Sequence, residues 1–349
     1  MVAKKVTVTP VFGLADEFID GGDFTSEDLP FEVGPGVFLA DVYQQMKSAD
    51  YSLWAQRYLS KEDVKELQGW RHALVHYFES EEYLTSAPEE DSRSLVQRVF
   101  WGLRIVRPSN MPYQYLRAVV KSDGSFDPNG FSKSEGRLTV SSCDAANYIR
   151  KRDAELLRDV VPALLRAYDT DCRTVQRAVR ILELGYISEF IDVKQLMWVT
   201  ALDALFTSAE HWGSELAVRR IQHLIGPETR VYEPADFPSY MVVPSVTVKQ
   251  IARDVYRLRN KFAHGEWVPK EFMDRPGYSG KAGEGLNYAD VLLEATGIML
   301  RMSLVKILRQ NLLEVFETKD TLNWYFSRAG LVNKKRIARG FQGREPSVH

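Results

Sequence analysis

An arginine, an amide and a histidine lie within about one and a half helical turns in Arg259-Asn260-Lys261-Phe262-Ala263-His264-Gly265. These groups suit phosphodiester chemistry without a metal. The guanidinium offers a cation for developing negative charge, the imidazole titrates near neutral pH, and the amide can orient either. The His264-Gly265 pair also reads as a helix stop, because glycine readily takes the left-handed position past a helix end. That places the imidazole at a helix C-terminus, where the dipole favours a cation.

The helix that must carry these residues reads from Val248 to His264, with Thr247 as its cap. Ile251, Val255, Leu258 and Phe262 keep helical spacing and are predicted to face a core. Asn260 and His264 are four apart and share a face, which Tyr256 extends by another turn. Arg259 precedes His264 by five positions, about 140° around an ideal helix. The two converge if the long guanidinium stem curls round or the helix end distorts.

A second segment, Leu196-Met-Trp-Val-Thr-Ala-Leu-Asp-Ala-Leu-Phe206, precedes an arginine-containing one, Glu215 to Ile225. The pair resembles the Trp-x-x-Ala-Leu-Glu-x-Leu-Phe helix and following arginine-bearing helix of the Apea-like HEPN branch. Arg259 to His264 resembles that family's Arg-x(4–6)-His signature, with Asn260 as its polar residue. Asp203 stands where the branch usually has glutamate, a carboxylate one methylene shorter. The resemblance covers roughly residues 185–315 and does not extend to 1–140. It implies a helical-bundle ribonuclease, metal-independent and working as a dimer, in a stress-response or phage-defence setting.

In such an enzyme the ribose 2′-OH is the nucleophile, so a base, an acid and a cation are required. One histidine cannot easily serve as both base and acid. Two copies of His264 across a two-fold axis could divide the roles. Arg259 would then hold the phosphate, and Asn260 would orient the imidazole or the scissile group. Asp203 would position Arg259, and Lys261 would add a phosphate contact, with Tyr256 supporting the same face. The structural alternatives are a His264 that caps terminal carbonyls and an Arg259 that serves only as the partner of Asp203. The alternative function is a non-catalytic HEPN-fold module that binds RNA, a nucleotide or a protein.

Other candidates are weaker. His72 and His76 are four apart on a segment predicted helical, a spacing that permits shared metal ligation, but no third ligand is evident. His211 and His223 fall in the helix pair after Phe206, and His223 is expected to be packed. No GxxxxGK[ST], paired GxGxxG or GxSxG motif occurs, so triphosphatase, dinucleotide-binding and α/β-hydrolase readings lack support. The seven tryptophans do not interleave with basic residues as a base-stacking platform would, and core or interface roles are expected for them.

The elements that position these groups fall into three parts: a mixed α/β region at 1–140, an all-α HEPN-type bundle at 141–330 and a basic mobile tail at 331–349. The expected class is therefore α+β overall. Strands are predicted at Val6–Phe12, Tyr113–Val120 and Leu138–Val140. An acidic loop is expected over 16–32. Helices are predicted from Ser60 to about Tyr77 and from Ser92 to about Val106. The bundle is expected from helices Ser142–Tyr168, Asp171–Leu184, Ile187–Phe206, Gly213–Ile225, Thr247–Ala263, Asn287–Phe316 and Lys319–Arg328. Four prolines between 227 and 246 mark a loop or lid. In the tail, Lys334, Lys335, Arg336, Arg339 and Arg344 face the single acid Glu345.

A chain of 349 residues has room for two domains. Its net charge of −2 carries no global nucleic-acid signal, so any RNA footprint must be a local patch. Two cysteines, Cys143 and Cys172, rule out a disulfide framework and fit a reducing cytoplasm. No secretory leader or membrane-length apolar run is seen, so cytoplasmic residence without a membrane partner is expected. No metal or cofactor is implied. The partners expected are single-stranded or transfer RNA, a second copy of the chain, and an inhibitory or activating protein, since an unrestrained ribonuclease is toxic.

Overall fold

A computed structural model of the chain describes residues 2–11, 28–41, 72–81, 87–108, 116–120, 132–133, 149–208, 213–232, 245–266 and 288–331. Two compact units emerge. The first comprises Met1–Thr170, Glu183–Ile191 and Tyr232–Val243, and the second Asp171–Leu182, Asp192–Val231 and Pro244–His349.

The first unit is built on an antiparallel sheet of β1 (Val2–Val11), β2 (Phe31–Gly34), β3 (Val37–Asp41), β4 (His72–Glu81), β5 (Leu116–Val120) and β6 (Ser132–Lys133). The strand order is β2-β3-β4-β1-β5-β6. β1 pairs with β4 along its whole length, from Val2 opposite Glu81 to Val11 opposite His72. Helices α1 (Ala87–Val106) and α2 (Lys151–Asp169) pack on this sheet. Leu39, Leu74, Val96, Val99, Phe100 and Leu103 share one core with Leu157 and Val161 of α2.

The helix expected to run to Tyr77 is corrected here. From His72 onward the chain is strand, because Ala73-Leu74-Val75 is an apolar run hydrogen-bonded on both edges, to β1 and to β3. A strand buried on both faces loses the alternation that would have marked it. The expected acidic loop, the strand at 138–140, the loop at 227–246 and the tail fall wholly or mainly outside the described residues.

The second unit is helical. α3 (Arg173–Ile187) begins in it, followed by α4 (Ile191–Phe206), α5 (Ser214–Ile225), α6 (Val248–Ala263), α7 (Tyr288–Arg309), α8 (Leu313–Glu317) and α9 (Lys319–Arg328). α4 is apolar around most of its circumference, as a helix surrounded by others must be. Gln195 of α4 donates to Val255 O of α6 at 3.3 Å and accepts from Thr296 of α7 at 3.0 Å, so one buried amide ties three helices. Trp198 donates its indole N–H to Leu182 O at 3.2 Å and lies over Gly297, where a Cβ would approach the ring to 2.9 Å. The helix expected from Asn287 to Phe316 breaks at Asn311, whose φ of 53° is left-handed, and α8 follows as a separate turn. Among the described residues no helix is long and apolar enough to cross a membrane.

Candidate functional site

α6 owes its bounds to local chemistry. At its start Gln250 Oε1 accepts from the Thr247 backbone N–H at 2.8 Å, and Thr229 O accepts from Val248 N–H at 3.0 Å. At its end Gly265, with φ of 70°, donates to Phe262 O at 3.0 Å, and Glu266 donates to Lys261 O at 3.0 Å. That is a Schellman closure, and it satisfies the last carbonyls with backbone groups. His264 is therefore not needed to cap them, and its side chain is exposed.

On the flank of α6 four of the six site residues meet. Tyr256 donates its hydroxyl to Asp203 Oδ1 at 3.0 Å, and Arg259 donates to Asp203 Oδ2 at 3.2 Å. Arg259 also donates to Asn260 Oδ1 at 3.1 Å. Lys261 pairs instead with Glu266 at 2.8 Å, close to the helix end. The guanidinium thus reaches sideways to α4, and His264 stands exposed one turn beyond Asn260.

The electrostatics follow from partial burial. Burial pushes the Asp203 carboxyl above its ordinary range, against the opposing pull of the Tyr256 hydrogen bond and the Arg259 charge. Burial and then the neighbouring Asp203 charge hold the Tyr256 phenol well above its usual value, so it stays a donor.

The C-terminal end of α4, just past Asp203, is held by cations that the sequence reading did not single out. Lys319 donates to Ala204 O at 2.6 Å and Arg220 to Phe206 O at 2.9 Å. Arg220 is fully buried and also donates to Leu331 O and Asn323 Oδ1. Desolvation lowers Arg220 to about 10, and it lowers Lys319 to about 8 with help from Arg177 and Arg220. The sequence signal was slight: an arginine on the apolar face of an otherwise ordinary amphipathic helix.

The other histidines resolve differently. His72 and His76 lie on β4, and His76 Nδ1 is 2.8 Å from the Ser92 hydroxyl. Among the described residues no group of three potential ligands could hold a metal ion. His223, expected to be packed, is exposed with its ring against Tyr325 and Phe326. His211 lies outside the described residues.

Comparison with known proteins gives no matching family model, no matching curated protein and no matching solved structure.

Proposed function

We propose that this chain is a metal-independent endoribonuclease of the HEPN type, acting in a stress or defence response. The observation that carries the reading is an exposed His264 one turn beyond Arg259 and Asn260 on α6, with Arg259 tethered to Asp203 of the neighbouring α4. A histidine that must exchange protons with a bulky polymer has to be reachable, and a phosphate-binding guanidinium works best when it is already oriented.

In the proposed reaction the 2′-oxygen attacks phosphorus and the bond to the 5′-oxygen breaks. His264 of one copy takes the 2′ proton, and His264 of a second copy protonates the departing oxygen. The products are a 2′,3′-cyclic phosphate and a 5′-hydroxyl. Arg259, held by Asp203, stabilises the crowded phosphorane.

A binding module without turnover is the second reading. What favours it is that Arg259 already commits donors on both terminal nitrogens, one to Asp203 and one to Asn260. Cleavage of labelled single-stranded and transfer RNA in EDTA, wild type beside His264→Ala, tests the choice. Cleavage by wild type alone, with cyclic phosphate ends, is expected. Equal cleavage by the two proteins would sink the assignment of His264, and RNA binding without cleavage by either would favour the module.

A further inference from the structure

α9 ends in an arrangement that the proposed chemistry does not use. Trp324 is 46% exposed, and the Arg328 guanidinium, one turn on, lies over its ring at 4.5 Å from the centroid. Tyr325 sits beside them, 6.3 Å from the ring of the exposed His223. Among the described residues, no carboxylate forms an ion pair with Arg328 or His223.

An exposed indole has several uses, and its neighbours decide between them. The other large apolar side chains exposed among the described residues are Tyr77, Leu184, Phe190 and Ile191, and all four belong to the first unit. Among the described residues of the second unit Trp324 is therefore the one large apolar side chain that is exposed, unlike the anchor of an apolar interface patch. Its exposed neighbours on α9 are Asp320, Ser327 and Arg328. A flat guanidinium–indole pair set among polar groups presents a plane onto which a nucleobase can stack, with the cation near the strand's phosphates. The sequence continues the positive charge: Lys334, Lys335 and Arg336 follow within a few residues of Leu331.

We propose that the Trp324–Arg328 face of α9 is a base-stacking site for single-stranded RNA. The choice of RNA over other planar ligands rests on the ribonuclease reading above. A duplex keeps its bases inside the stack, so the site selects unpaired strands.

The test is fluorescence anisotropy of the full-length protein with a labelled 2′-O-methyl oligouridylate, which lacks the nucleophile and cannot be cleaved by 2′-OH attack. Trp324→Ala should weaken binding by about tenfold, the loss of one stacked base. Trp324→Phe should restore most of it. Arg328→Ala should weaken binding and flatten its salt dependence by about 0.7 in log–log slope. Binding of a duplex should not respond to any of the three. If wild type binds the oligonucleotide and both alanine variants bind equally well, the stacking site is wrong while the ribonuclease reading stands. If Trp324→Ala changes the sedimentation mass and leaves binding per protomer intact, Trp324 is a protein contact and the proposal falls. Absence of RNA binding by wild type, together with no cleavage, would remove the reading on which the site depends.

Discussion

Removing the Asp203 carboxylate should damage stability in a way that reveals its partners. Tyr256 is 3% exposed and its hydroxyl has Asp203 as partner at 3.0 Å. Asp203→Ala strands that donor in a dry site, at a cost of about 1–3 kcal/mol. The Arg259 pair adds little, about 0–1 kcal/mol, because both side chains are roughly 30% exposed and water screens them. The expected total is about 1–4 kcal/mol, most of it from the stranded phenol. Asp203→Asn keeps an acceptor for the phenol and should cost about 1 kcal/mol. Urea unfolding followed by far-ultraviolet circular dichroism reads both values. The decisive comparison is made in a Tyr256→Phe background, where no donor is left to strand and Asp203→Ala should cost at least about 1 kcal/mol less. An identical cost in the two backgrounds would refute the reasoning. The pH dependence gives a second check. Burial raises the carboxyl in the folded state, so the folded protein holds the proton more tightly than the unfolded chain. The stabilisation is complete below the ordinary carboxylate value and is lost as pH rises through the raised one. Relative to Asp203→Asn, wild type should therefore lose stability with rising pH across the acid range.

Two further outcomes are expected. Gly297→Ala places a methyl 2.9 Å from the Trp198 ring, so thermal unfolding should show a loss of about 1–3 kcal/mol, and a neutral result would mean the ring can move aside. Lys319 titrates at about 8 in the fold against 10.5 in a free chain, so the unfolded state binds more protons between those values. Wild type should gain stability over Lys319→Met as pH rises from about 8 to about 10.5, measured by urea midpoints, and a flat difference would contradict the burial of that amine.

What could be read in the sequence is what short range fixes. The Thr247–Gln250 cap that opens α6 and the closure at His264-Gly265 span no more than five residues, so the residue types alone place them, and the bond from Val248 N–H to Thr229 O adds to the start from further along the chain. The bounds of α9 at Lys319–Arg328 are legible for the same reason: Thr318 Oγ1 accepts from Thr321 N–H at 3.1 Å. Asn260 and His264 share a face by helical geometry alone. The strand at β4 was not legible, because its ten residues become a strand through partners at Val2–Val11 and Val37–Asp41, not through any pattern of their own. The Trp324–Arg328 pair was not legible either: the sequence alone led to a core or interface role for this tryptophan, because its exposure depends on which side of α9 faces the unit.

The union of Tyr256, Asp203 and Arg259 is of this second kind. Residues more than fifty positions apart meet because Gln195 locks α4 against α6 and α7, and because Lys319 and Arg220 hold the end of α4. The sequence by itself determined which helix carries the arginine, amide and histidine, and where that helix stops, since capping and periodicity are local energies. Only the tertiary structure decided that Arg259 turns to α4 while His264 remains open to solvent, since the direction of a long side chain is set by the charges and cavities that distant segments bring to it.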